Sequence, residues 1–386
     1  MFISSYLTNE VHHVVLGPDG VIERELIKYD FDTPPNVDAA FDRSGRLHVL
    51  IGKEHMIKQA GSWVTVERTP WKEAGLTIRG QPSFVAGARD LTWAFLIEGQ
   101  EVGMPERWDW FGVAGGSPPL GLIWPWHTQV NKLMIVPEMA PIYTMWMVLE
   151  PGSIDRTDFW AFGADGQGAI HVAYNMGGEI SYAKFVIEQD RSATPPARSE
   201  VTVPLRDRRQ LTAILQKQTL GQSPFFHGRP DIPGPPVSIA VDLDSGAALV
   251  VRRDSIPAGL VAPPTMPTWR SDSFLFRDEE LSGSIPMPFS NIMKCSVASS
   301  GNDRFHAVVL GESLNPWSGG DWPIYYLNFF GNGWSLPVTL GIPNTSHWFF
   351  SHVVDAVEIA SNGSRRAVVV WPTKEGIVGR WIEVLQ

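Results

Sequence analysis

A strand–turn–strand unit that returns along the chain restricts its fold more than any other feature. It begins at Val37-Asp38-Ala39-Ala40-Phe41, turns at Asp42-Arg43-Ser44-Gly45 and resumes at Leu47-His48-Val49-Leu50-Ile51. It then runs through Met56-Ile57-Lys58 to Gly61-Ser62-Trp63-Val64. Runs of four to eight β-formers, broken by Gly-containing turns, read as hairpins. The unit recurs at Phe159–Gly163 with Ile170–Tyr174 and Ile180–Ala183, and at Val237–Val241 with Ala248–Val251. Further copies are Cys295–Ala298 with Phe305–Val309, and Ala356–Ala360 with Ala367–Trp371. A weaker copy lies at Ser83–Gly87 with Leu91–Leu96.

The turn glycines at 45, 87, 166, 246, 301 and 363 stand 42, 79, 80, 55 and 62 residues apart. A four-stranded propeller blade takes about 40 to 50 residues. The reading is therefore all-β, one β-propeller domain over residues 1–386, with seven blades favoured and six as the alternative. The seventh depends on a degenerate blade at 125–150, built from Leu133–Val136 and Tyr143–Val148. The gap before Gly246 holds a long insertion at about 187–235, with a helix-like run at Leu211-Thr212-Ala213-Ile214-Leu215-Gln216. The last blade runs out at Trp381-Ile382-Glu383-Val384-Leu385, one strand short. A hairpin of residues 11–16 and 21–29 is expected to complete it, closing the ring and covering an open edge.

The order Ser/Asp-x-Gly, Ile/Leu-His-Val, Ile-x-Tyr and Gly-x-Trp-Ser-x-Pro-Val resembles the sialidase-like (BNR-type) β-propeller superfamily. Its best stretch is Ile324-Tyr325-Tyr326-Leu327 with Gly331-Asn332-Gly333-Trp334-Ser335-Leu336-Pro337-Val338. The superfamily's Asp-box, Ser-x-Asp-x-Gly-x-Thr-Trp, is nowhere intact; Gly61-Ser62-Trp63 and Gly333-Trp334-Ser335 are remnants. The superfamily holds glycosidases, polysaccharide lyases and lectins, so the resemblance implies a leaning toward glycans and names no reaction. Sialidases also need an arginine cluster for the substrate carboxylate, and no three arginines single themselves out.

Charge narrows the partners. The net charge is −10 and the densest basic stretch, Arg206, Arg208 and Arg209, is interrupted by Asp207. Phosphate neutralisation supplies most nucleic-acid affinity, so no nucleic acid is expected. No window reaches the ~18 apolar residues of a membrane span. The start, Met1-Phe2-Ile3-Ser4-Ser5-Tyr6, has no basic and apolar leader pattern. The expected setting is cytoplasmic or within a virion, or extracellular after removal of a signal. Cys295 is the only cysteine, which excludes an intrachain disulfide, and a buried small apolar role is expected for it.

Chemistry has few local signatures. His48, His171 and His306 share one place in three repeats; equivalent places are spread round a ring, so each is expected to bond a neighbouring strand. His12 and His13 are adjacent and face opposite sides of a strand, so they cannot share a metal. Asp242-Leu243-Asp244-Ser245-Gly246 starts like a calcium loop but lacks the later ligands, and a hairpin turn is expected. No metal and no cofactor are expected. No nucleophile elbow, phosphate loop or zinc motif occurs. Asp155, Asp158, Asp231, Asp254 and Glu312 are acids at loops or strand ends, without a pairing that spacing can reveal.

The aromatic segments say more. Trp108-Asp109-Trp110 and Trp124-Pro125-Trp126-His127 bracket Gly115-Gly116-Ser117-Pro118-Pro119, and Asn315-Pro316-Trp317-Ser318-Gly319-Gly320-Asp321-Trp322 carries two more indoles. Indole faces stack on sugar rings while Asp and His bond hydroxyls. Trp108, Trp110, Trp124, Trp126, His127, Trp317, Asp321 and Trp322 are the expected ligand-binding residues. Phe226, His227, Arg229 and Asp231, in the long insertion, are the expected lid or partner contact. The favoured function is a non-catalytic recognition protein that binds a glycan or partner protein, alone or in an oligomer or larger assembly. The alternatives are a glycan-active enzyme (glycoside hydrolase or polysaccharide lyase) and a purely structural subunit.

Overall fold

The computed structural model describes residues 2–5, 10–17, 20–29, 37–42, 44–67, 69, 72, 78–86, 91–103, 126–137, 146–147, 159–176, 179–187, 212–222, 237–252, 271–277, 280–289, 292–311, 323–342, 357–361, 366–373 and 376–383. The first sheet joins β1 (Phe2–Ser5), β2 (Glu10–Gly17) and β3 (Gly20–Tyr29). The second joins β4 (Val37–Phe41), β5 (Leu47–Ile51), β6 (Glu54–Gln59) and β7 (Ser62–Val66). The third joins β8 (Ile78–Ala86), β9 (Leu91–Gly103), β10 (Trp126–Pro137) and β11 (Trp146–Met147). The fourth joins β12 (Phe159–Ala164), β13 (Ala169–Met176), β14 (Glu179–Ile187) and β15 (Thr212–Gln222). The fifth joins β16 (Val237–Val241), β17 (Ala248–Arg252), β18 (Asp272–Arg277) and β19 (Glu280–Pro286). In the sixth, β20 (Ile292–Ser299), β21 (Phe305–Gly311) and β22 (Ile324–Phe330) are followed by β23 (Gly333–Trp334) and β24 (Val338–Gly341), both paired to β22. The seventh joins β25 (Glu358–Ser361), β26 (Arg366–Thr373) and β27 (Gly376–Glu383).

Each sheet is an antiparallel meander, and the first strands stand side by side in chain order. β1 lies beside β4, β4 beside β8, β8 beside β12, β12 beside β16, β16 beside β20 and β20 beside β25. Sheets that touch through their first strands and fan outward make an all-β β-propeller.

The core lies between sheets, and the apolar runs explain why. Ala247-Ala248-Leu249-Val250-Val251 is wholly buried, without the alternation of a half-exposed strand. Ala248 and Val250 join Tyr182, Ile180 and Leu220 of the fourth sheet. Leu249 and Val251 turn the other way, Leu249 toward Phe305 and Phe329 and Val251 toward Ala307 and Val309 of the sixth. In turn, Val308 and Leu310 face Ile359, Val369 and Trp371 of the seventh. Each such side chain contributes about 1.5–3 kcal/mol, and only a neighbouring sheet can cover it. The Tyr182 and Phe276 rings stack across one of these seams with centroids 3.7 Å apart.

The remnant tryptophans fill the wedge between sheets. Trp63 meets Phe2 and His13 of the preceding sheet at centroid distances of 6.0 and 5.6 Å. Trp334 packs on Phe329, and its Nε1 donates to Ser273 Oγ of the preceding sheet at 2.8 Å.

The hairpin turns between first and second strands also bond sheet to sheet. Gly166 N donates to Leu243 O at 2.8 Å. Asp242 Oδ2 accepts from Asp303 N at 2.8 Å, and Ser245 Oγ donates to the Asp303 carboxylate. These turns of the fourth, fifth and sixth sheets therefore share one side of the propeller.

Three expectations are corrected. The strands at 125–150 are not a separate blade: β10 and β11 continue the sheet of β8 and β9. A connection of 22 residues, 104–125, separates β9 from β10, and reading short hairpins throughout splits this sheet in two. The run expected as helical is strand from Thr212 on, because β15 pairs with β14 from Ile187↔Thr212 onward. The N-terminal strands do not complete the last blade among the described residues. They pair with one another, since β1 supplies β2 with a partner on its second edge.

Gly166→Ala is expected to destabilise the fold by about 1–3 kcal/mol. Its Cβ would collide with the carbonyl oxygen of Leu243, which is backbone and cannot swing away. A urea midpoint equal to that of the wild type would show that the two turns do not meet this closely.

Candidate functional site

The repeated histidines are occupied inside their own sheets. His48, fully buried on β5, has Nδ1 2.9 Å from His55 Nε2 on β6, and its Nε2 is 3.1 Å from Asp42 Oδ2. His171 on β13 has Nδ1 2.7 Å from the Tyr182 hydroxyl on β14, and Nε2 3.4 Å from Asp165 Oδ2. In both, a carboxylate at the hairpin accepts from Nε2–H, which leaves Nδ1 to accept from the next strand. His306 departs from this pattern because Ser300 stands where the others have Asp. Its Nδ1 lies 2.8 Å from both Asn328 Oδ1 and the Tyr326 hydroxyl, and Nε2 has no hydrogen-bond partner. With Tyr326 donating to Asn328, the His306 proton belongs on Nδ1. The expected bonds to neighbouring strands are thus present in all three.

The hairpin carboxylates are equally committed. Asp42 accepts from Ser44 Oγ, Arg46 N, Arg46 Nε and His48. Burial opposes its ionisation, but these donors win and its pKa lies far below the usual value. Asp242 Oδ1 accepts from Asp244 N at 2.9 Å and Ser245 N at 3.1 Å, which makes the stretch a capped hairpin turn. Cys295 is a half-buried thiol on β20, packed against the cluster of Val309 and Leu327.

His12 and His13 do face opposite sides of β2. His12 Nε2 is 2.9 Å from Glu10 Oε2 and 3.4 Å from Arg24. His13 Nδ1 lies 3.8 Å from Glu25 Oε2, beside Lys58 of the second sheet. This second cluster unites residues far apart in sequence, and no local pattern announces it.

The aromatic site residues fall in part beyond the described residues. Trp108, Trp110, Trp124, Trp317, Asp321, Trp322, Phe226, His227, Arg229 and Asp231 lie outside them, as do Asp155, Asp158, Asp254 and Glu312. Trp126 and His127 open β10, paired by backbone to Gly103 and Val102. The flanking strands are informative. Segments 104–125 and 312–322 both join the second strand of a sheet to its third, and 223–236 joins the last strand of one sheet to the first of the next. In an antiparallel meander these connections depart from the side opposite the first-to-second hairpin turns.

No family model matches the chain, and no curated protein matches it in sequence. Among solved structures it is similar to a lectin from Aleuria aurantia, described as a six-bladed β-propeller with a novel fucose recognition mode. The identity is 8%, 90% of this chain and 91% of that one are covered, and the TM-score is 0.40. It is also similar to an exo-1,5-α-L-arabinanase from a bovine ruminal metagenomic library, at 13% identity, 81% and 99% coverage and a TM-score of 0.29. Likenesses this remote say nothing of ligand or reaction. Among the described residues no helix is long and apolar enough to cross a membrane.

Stability is expected to fall as the pH drops. Burial above all, then the neighbouring His48 imidazole, lowers the His55 pKa from 6.5 to about 4. The unfolded chain takes up this proton below about pH 6.5 and the folded one only near pH 4, so stability is full above that window and declines through it. His171 and His306 are shifted in the same direction, burial being the largest cause. Thermal melts at pH 7 and 4.5 should show a lower midpoint in acid, with a smaller drop in His55→Gln. Equal drops in both proteins would remove His55 as a source.

Proposed function

We propose that this chain is a non-catalytic recognition propeller, one domain over residues 1–386, that binds a glycan or partner protein through Trp-rich loops. The observation that carries the reading is topological. Trp108, Trp110, Trp124, Trp317, Asp321 and Trp322 belong to second-to-third connections, Trp126 and His127 begin the strand that follows one, and Phe226, His227, Arg229 and Asp231 belong to a connection between sheets. All of these leave from one side, so the indoles and their polar companions are available to a single ligand surface, with the 223–236 connection beside it. Stacked indoles are what sugar faces require. The Gly-x-Trp-Ser remnant supports the sialidase-like lineage and its leaning toward glycans. The recurring histidines support binding over catalysis, since Nδ1 of each is bonded within its own sheet.

A glycan array, with reducing-sugar and unsaturated-product assays on the ligands that score, tests this. Binding without turnover is expected. Trp108→Ala and Trp322→Ala should each weaken it roughly tenfold, in line with about 1.4 kcal/mol for a lost stacking partner. Turnover of a bound polysaccharide, or binding indifferent to both substitutions, would overturn the reading.

The ring is proposed to have seven blades and to close between the first and seventh sheets. Trp381 Nε1 donates to Gly17 O at 3.3 Å, and Leu16 Cδ1 would be 2.9 Å from a Cβ at Gly379. Side chains from both termini thus meet laterally, which supports closure without strand exchange. Trp381→Ala should lower the midpoint of a single cooperative melt by roughly one to two degrees, on the order of 1 kcal/mol of stability. An unchanged midpoint would argue for an open ring.

A further inference from the structure

We propose that His13, Glu23 and Glu25 form a site for a divalent transition-metal ion, Zn2+ being the fitting one, for which the Lys58 ammonium competes. One nitrogen and one oxygen from each carboxylate lie within 4.8 Å of one another, the one such group of three among the described residues. Imidazole with carboxylates is a zinc donor set. Bonds of about 2.0–2.2 Å place tetrahedral ligands about 3.4 Å apart, so closing on an ion requires movements near 1 Å. Glu23, half exposed on β3, and Glu25 can supply them.

The imidazole separates this cluster from an ordinary surface ion pair. Lys58 Nζ lies 2.8 Å from Glu25 Oε2 and 3.2 Å from Glu23 Oε1, which accounts for both carboxylates. It does not account for His13. That residue is only 6% exposed, and its buried Nδ1 has no hydrogen-bond partner although it faces Glu25 at 3.8 Å. A buried, unmatched ring nitrogen costs about 1–3 kcal/mol, and a metal bond would satisfy it. Burial above all keeps the imidazole neutral, the form that ligates. The ring is held against Phe2 and Trp63, with centroids at 5.1 and 5.6 Å, so its direction is set in advance.

Lys58 also has somewhere to go. Its ammonium lies 5.7 Å from the centre of the Trp63 ring, and a flexible stem lets it withdraw over that face when an ion takes the carboxylates. The ion would sit where β2 and β3 of the first sheet face β6 of the second, held by ligands of the first sheet alone.

The test is calorimetric titration of the full chain with zinc chloride after removal of metal with EDTA, alongside thermal melts. One-to-one binding with a raised melting midpoint is expected. Glu25→Gln and His13→Phe, which keep shape and ring packing, should each weaken binding roughly tenfold or more, while Lys58→Met tightens it about as much. Should one variant fail to fold, the other and Lys58→Met still decide. Absence of one-to-one binding in both wild type and Lys58→Met overturns the proposal. So does zinc binding of equal strength in wild type and Glu25→Gln, which would trace the heat to other histidines.

Discussion

Everything in this structure depends on apolar strands that are buried on both faces. A small antiparallel sheet with Leu249 and Val251 on one side and Ala248 and Val250 on the other cannot be stable in water alone. It needs a neighbour on each side, and those neighbours need theirs. A row of sheets touching through their first strands meets that demand for a sheet lying between two others, as that of β16–β19 does. The few polar groups buried there, His48, His171 and His306 among them, survive because each finds a partner one strand away.

The repeat was legible because hairpins announce themselves locally. Asp42 to Gly45 and Asp242 to Gly246 carry both the carboxylate that caps the turn and the glycine with positive φ, at 78° and 72°. What was not legible is what lies far apart in sequence. Thr212–Gln222 holds Ala, Leu and Gln, good helix formers, yet the open edge of β14 decides its state. The sequence of the β8–β11 sheet divides in two because its second and third strands are separated by a Gly- and Pro-rich segment. Cys295 illustrates a middle case, expected as buried and found half-buried.

The same division applies to the candidate sites. Trp108, Trp322 and their companions could be picked out from composition alone, and the meander topology adds that their connections share a side. The His13, Glu25 and Lys58 cluster could not, because it joins β2, β3 and β6, with Lys58 33 residues from Glu25. Its one sequence trace is the paired histidine, of which alternation on a strand allows only one to face inward to this group.

The hydrogen bonds that run from turn to turn, Gly166 to Leu243 and Asp303 to Asp242, make the two rims of the molecule unequal. One rim is sewn at its first-to-second turns: lengthening one of these pulls on the turn bonded to it. At the other rim the described residues show a side-chain tie, Arg252 to the Leu220 carbonyl, in place of bonds from turn to turn. Variation in such a chain should therefore accumulate on one face, leaving the opposite one as a fixed base on which different surfaces can be tried.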